Sequence, residues 1–221
     1  MEIKKSIECL LKLSDKDFGK YLVSTDPIEG RIRGTLREEI IEKSLQCGYE
    51  EADKILSKIG KTSGDLNIAL LTKELGITIK IDKSQNAMEY IYFGTYEGPG
   101  IITLYEDNIK KGETLISEYK ISGLQGIDLM QIILAHELFH YIEARTPDLY
   151  VNTYRIKLWK LGPYTHKSEL ICVGEIAGMA FAKRLLNLRF CPNILDVLLL
   201  YPNDEKQAEM VYNQIIESVK R

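Results

Sequence analysis

A chain of 221 residues with 45% hydrophobic and 28% charged residues has the make-up of a globular protein with a full core, not of a disordered or fibrous one. Its 29 basic residues are outnumbered by 32 acidic ones, and the net charge of -3 argues against nucleic acid as a partner, since phosphate binding needs a clustered basic surface. No stretch approaches the roughly 20 apolar residues that cross a bilayer, and Glu8, Asp15 and Asp17 break up the N-terminal run a signal peptide would need, so a cytoplasmic chain without membrane contact is expected.

Residues 1–23 and 36–59 read as amphipathic helices, with Ile3, Ile7, Leu10 and Leu11 at helical spacing in the first. Arg31, Arg33 and Arg37 form the densest basic stretch, but Glu29, Glu38 and Glu39 flank it, which makes it a solvated face. A stop at Gly60 and a turn over 61–64 precede a helix over 65–74, closed by Gly76. Strand signals follow. Ile77, Ile79 and Ile81 alternate with polar residues, and 89–96 and 100–106 are rich in β-branched and aromatic residues, with a turn at 98–100 between them.

The polar, glycine-punctuated stretch 107–125 reads as loop with at most a short helix. From 127 to 145 the chain reads as a strongly apolar helix, ended by Thr146-Pro147 because the residue before proline leaves the helical region. An aromatic loop bearing Tyr150, Tyr154, Trp159 and Tyr164 leads to a second apolar helix over 167–186. Residues 193–201 read as a short buried helix, and Asn203 as the cap of a last amphipathic one with Ala208, Val211, Ile215 and Val219 on its apolar face. Cys9, Cys47, Cys172 and Cys191 show no CxxC spacing, which predicts four reduced thiols. The expected organisation is a helical segment 1–60, a core 61–190, and C-terminal helices 191–221 packed on that core. The fold class is α+β, mostly helical, with a small antiparallel sheet against the helix over 127–145.

That helix carries His136-Glu137-Leu138-Phe139-His140. Two histidines four residues apart project from one face about one turn apart, close enough for both imidazoles to bind one tetrahedral ion. Glu137 lies about 60° around the helix from His140, beside such an ion and not on it, where it can take a proton from an attacking water. The bland alternative, two core histidines satisfying each other, loses weight because the chain has only 3 histidines, and two fall at ligand spacing inside its most apolar helix.

A catalytic zinc wants a third protein ligand and an open position. Glu143 follows on the same helix, but three ligands along one straight helix are nearly collinear, so it is expected to support a ligand from behind or to be solvated. Glu169 and Glu175 in the next helix, with His166 before it, are the better candidates. Glu175 shares its face with Ile171, Cys172, Met179, Ala182 and Leu186, and a carboxylate in an apolar stripe needs a metal or a cation. Glu169 is a first-turn acid that the helix dipole already explains. Gly178 removes a side chain where two helices must approach closely. Zinc is the expected ion, with manganese compatible with the same donors. His166, Tyr141, Tyr154 and Tyr164 are candidate oxyanion stabilisers, and nothing in the sequence selects among them.

The segments IILAHELFHYIEA and GEIAGMAFAKRLL resemble the ImmA/IrrE family of metallopeptidases, in which an HExxH helix is followed by a helix with the pattern E-x-x-A-N-x-F-A ahead of a Leu-Leu pair. The match puts the family's third ligand on Glu175, its aromatic on Phe181 and its small residue on Ala182, with Leu185 and Leu186 behind them. Phe139 stands where the family has glycine, and Gly178-Met179 where it has Ala-Asn. The resemblance implies a zincin-like cytoplasmic endopeptidase that cleaves a transcriptional repressor. Two other functions are compatible with the sequence: an inactive metal-binding regulatory protein, against which Glu137 speaks, and a DNA-binding regulator using residues 1–60, against which the acidic balance speaks.

Overall fold

The computed structural model of the protein describes residues 1–60, 66–83 and 91–220. The architecture is mixed α+β and mostly helical. Three helices open it: α1 (Ile3–Leu10), α2 (Asp15–Thr25) and α3 (Thr35–Ile59). The expected single helix over 1–23 is thus two. Ser14 breaks it, because its hydroxyl accepts from the Asp17 amide at 3.2 Å while the Asp17 carboxylate accepts from the Ser14 amide at 2.9 Å, a reciprocal cap that starts a new helix. Gly60 ends α3 in the left-handed region at φ 62°. Of the turn read at 61–64 and the helix start at 65, all lies outside the described residues; α4 runs from Ile68 to Glu74, with Asn67 as its cap.

Three strands follow, β1 (Thr78–Asp82), β2 (Gly94–Glu97) and β3 (Ile101–Tyr105), in the order β1-β3-β2. The sheet is mixed where an antiparallel one was expected: β2 and β3 form a tight hairpin, but β1 pairs parallel to β3, Thr78 opposite Ile101. Alternation within a strand says nothing about the direction of its partner. The strand signal over 89–96 is realised only from Gly94; 84–90 lie outside the described residues.

The stretch read as loop over 107–125 holds a helix, α5 (Glu106–Tyr119). Its Gly112, read as a breaker, is a packing position: a Cβ there would lie 2.4 Å from Leu199 Cδ2. The apolar stripe of Ile109, Leu115 and Ile116 carries the helix onto the core. After α6 (Leu129–Glu143) the aromatic loop resolves into a turn of helix, α7 (Tyr150–Thr153), and a hairpin of β4 (Ile156–Leu161) and β5 (Tyr164–Ser168). A register shift between Lys157 and Trp159 breaks the alternation that would have announced it. Because β5 takes residues 164–168, the next helix, α8 (Ile171–Leu185), starts later than expected. A short 3-10 turn, α9 (Leu195–Leu198) and α10 (Glu205–Lys220) complete the chain. Asp204 caps α10, accepting from the Gln207 amide at 2.9 Å, whereas Asn203 donates back to Leu199 O.

One cluster of buried side chains runs from Ile3 to Ile215. At its centre α8 packs between α3 and α6, and the other side of α6 packs on β2 and β3. All 4 cysteines are free. Among the described residues no helix is long and apolar enough to cross a membrane.

Candidate metal centre

Asp128 starts α6 by accepting from the Gln131 amide at 3.1 Å. Gln131 in turn holds the first amide of α4 at 2.8 Å, and Leu129, Ile132, Leu134 and Leu138 bury the helix on more than one side. The helix is therefore fixed in rotation, and with it His136, Glu137 and His140. His136 and His140 face each other, Nε2 to Nε2, at 3.1 Å. Across the seam, Glu175 of α8 brings one carboxylate oxygen to 3.4 Å from His136 Nε2 and the other to 3.7 Å from His140 Nε2.

These spacings fit an ion. With metal–donor bonds of about 2.0–2.1 Å, donors on a tetrahedral metal sit about 3.3 Å apart, and the three separations straddle that value. His140 is oriented for the task by Glu143, whose Oε2 lies 2.8 Å from Nδ1, so Nε2 is the nitrogen turned to the shared point. His136 Nδ1 is buried without a hydrogen-bond partner among the described residues and lies against Gly178. His136, His140 and Glu175 are the one group among the described residues that could hold a metal ion.

The same three groups polarise one another without an ion. Burial pulls His136 down, but the hydrogen bond and charge of Glu175, helped by Glu137 and Asp196, override it and lift the imidazole to about 9. Burial pushes Glu175 up, and the hydrogen bond and charge of His136, with the charge of His140, override that and hold it at about 2.

Glu137 is buried, 7% exposed, and has no ion-pair partner among the described residues. It is pinned from the sheet side by Gly94 of β2, where a Cβ would lie 3.1 Å from its Oε1 and 2.5 Å from Ile133 Cγ2. A glycine in a strand marks such a close approach. The four residues line a cleft of about 600 Å³, with Tyr92, Thr95 and Tyr96 along one wall and Glu143 and Ala144 beyond His140. Asn108 of α5 holds the wall by donating to Tyr92 O at 2.9 Å, and Arg145 donates to the Tyr96 hydroxyl at 3.2 Å.

The other candidates lie elsewhere. Glu169 is exposed and ion-paired with Arg155 at the base of the hairpin. His166 is on β5, its ring 5.3 Å from that of Trp159. Tyr164 stands exposed on the same hairpin, and Tyr154 packs against Tyr150 with the rings tilted by 40°. Tyr141 donates its hydroxyl to Leu75 O at 3.1 Å and lies under the Arg145 guanidinium. None of these lines the cleft. The hydroxyl-bearing residues that do are Tyr92, Thr95 and Tyr96, and the sequence does not single them out, because it shows a strand but not that this strand faces the histidines.

What the site defines is a class: a His-His-Glu group that could hold a metal ion, with a buried carboxylate beside it that has no ion-pair partner among the described residues, in a cleft walled by a sheet edge. Comparison with known proteins adds nothing to that class, since no family model, no curated protein and no solved structure matches the chain.

Proposed function

We propose that the chain is a zinc-dependent endopeptidase of the HExxH type, acting on a cytoplasmic protein. The observation that carries this reading is the convergence of His136, His140 and Glu175 from two helices, with Glu137 beside them and uncommitted. A divalent metal held by the three would supply Lewis acidity to a substrate carbonyl and to the attacking water. Glu137 then does the proton work: its carboxylate accepts the proton of the water and returns it to the leaving amine. Burial under Gly94 keeps that carboxylate in place. Glu143 holds His140.

A peptide substrate suits the cleft because, among the described residues, β2 is the last strand of its sheet, and an extended backbone can pair with such an edge. Gly94, Thr95 and Tyr96 of that strand lie along the cleft. The likeness of the two helical segments to the ImmA/IrrE pattern supports a zincin-like arrangement and a transcriptional repressor as the substrate.

Glu137→Gln keeps the shape of the side chain and cannot accept the proton. Metal content and melting temperature should match wild type, while cleavage of a repressor encoded beside this gene falls by at least about 100-fold, the lower bound for a positioned base. If zinc-loaded wild type and variant both bind that repressor and neither cuts it, the protein is a metal-binding regulator instead.

A further inference from the structure

Against the cleft lies a second, smaller cavity of about 220 Å³, which shares His136, Glu137 and Glu175 with it. Its walls are apolar: Ile132 and Ile133 from α6, Met179 from α8, Leu195 and Leu199 from the C-terminal turn. Ile91, Tyr92, Phe93 and Gly94 close it on the sheet side, and the remaining lining residue is an acid, Asp196. Asp196 accepts from Asn193 Nδ2 at a long 3.4 Å, and no cation stands within ion-pair distance of it among the described residues. A carboxylate enclosed by apolar side chains is costly unless something cationic joins it, and among the described residues the chain supplies only the charge of His136, short of an ion pair.

We propose that this cavity receives one side chain of the substrate and that Asp196 makes it select lysine or arginine. The inference rests on the endopeptidase reading. At about 30 Å³ per water-sized group, the cavity has room for about seven such groups, the size of one long side chain and not of a second backbone. The methylene stem of a lysine would lie on Ile132, Met179 and Leu199, and its ammonium would reach the carboxylate that lacks a cation. A norleucine side chain would fill the same walls and leave Asp196 unpaired. An acidic side chain would meet Asp196, Glu137 and Glu175 together.

The test uses zinc-loaded Glu137→Gln protein, so that affinity is read without turnover, and a peptide set in which each position in turn carries lysine, norleucine or glutamate. Calorimetry should find one position where lysine binds about tenfold or more tighter than norleucine, as a charge-assisted hydrogen bond supplies, with glutamate the weakest. Asp196→Asn in the same background should bring lysine down to norleucine. The lysine and norleucine comparison needs no change at 196, so a poorly folding Asp196→Asn does not rescue the proposal. No position favouring lysine, or a preference that survives Asp196→Asn, overturns it. An Asp196→Asn protein that loses zinc affinity and keeps the lysine preference overturns it too, by assigning the carboxylate to His136. Hydrolysis of the same peptides by wild type is followed separately by mass spectrometry: a lysine preference with no cleavage leaves the pocket standing and removes the endopeptidase.

Discussion

On one face of α8, Gly48 of α3 lets the helices meet backbone to backbone; a Cβ there would lie 2.1 Å from Ala177 O and 2.9 Å from Ala180 Cβ. On the neighbouring face, α8 supplies the glycines itself. Gly174 and Gly178, one turn apart, make a groove in which Cβ atoms would lie 3.0 Å from Glu143 Oε1 and 2.9 Å from His136 Nδ1. The first seam admits main chain and the second admits the side chains of the candidate metal centre. The same residue type therefore serves close helix packing on one side of α8 and the candidate site on the other, and substitutions should separate the two.

The largest effect belongs to the second seam. Losing groups that merely orient a ligand costs about 10- to 100-fold in metal affinity, so Glu175→Ala should lose more than about 100-fold, while Glu169→Ala, on the exposed ion pair with Arg155, should lose none. Titration of chelator-treated protein with zinc reads both, and equal losses would move the centre off Glu175. Next come the glycines. An extra methyl against rigid backbone costs up to about 3 kcal/mol, and alanine returns about 1 kcal/mol of helix propensity, so Gly48→Ala should destabilise by about 2 kcal/mol in denaturant unfolding and leave zinc affinity untouched. Gly178→Ala gains the same propensity and displaces an imidazole, so its stability should change little and its zinc affinity fall about tenfold, in the range of other orienting contacts. If both variants move the same quantity, the two seams are not distinct.

Much of the second seam could be read from the sequence because its determinants are local. Four-residue spacing puts two histidines on one face whatever surrounds them, and an acid in the stripe of Ile171, Cys172 and Met179 had to meet something polar. Glu143 is legible as one of two alternatives: near-collinearity with the histidines excludes it as a ligand and leaves it to support one or be solvated, and its Oε2 at 2.8 Å from His140 Nδ1 decides for the first. Phe139 and Gly178, each a departure from the pattern the chain resembles, turn out to be neighbours. Phe139 is fully buried, 5.6 Å ring to ring from Phe181, and a Cβ on Gly178 would sit 3.4 Å from it. The bulk of Phe139 faces the position where Gly178 has no side chain. The first seam was illegible: nothing near Gly48 in sequence announces Ala177, and the parallel pairing of β1 with β3 is equally non-local. Gly112 misled for the same reason, since a helix breaker and a helix contact are spelled alike until Leu199 is in view.

The smallest effect is one of pH, and it distinguishes a centre that holds metal from one that only holds an ion pair. In metal-free protein His136 is raised from 6.5 to about 9 and Glu175 lowered from 4.5 to about 2, burial opposing and the partner's hydrogen bond and charge winning in each case. A raised histidine stabilises the fold fully below its unfolded value and loses that contribution as pH climbs through its folded one; a lowered glutamate contributes above 4.5 and loses it on acidification. The two shifts describe one pair, whose contribution is therefore greatest between pH 4.5 and 6.5 and drains away towards about 9. Asp196, pushed to about 7 by burial against the Asn193 hydrogen bond and with the charge of Glu175, adds a decline of its own from 3.8 to about 7, so the pair is read cleanly above pH 7. There the melting temperature of chelator-treated protein should keep falling to about pH 9, and Glu175→Gln should flatten that slope. Zinc binding requires His136 to give up the same proton, so zinc affinity should rise over the pH range in which metal-free stability falls. A zinc affinity that stays level while the metal-free melting temperature drops would mean that the ion enters without displacing the proton from His136, and the histidine pair would then be no ligand set at all.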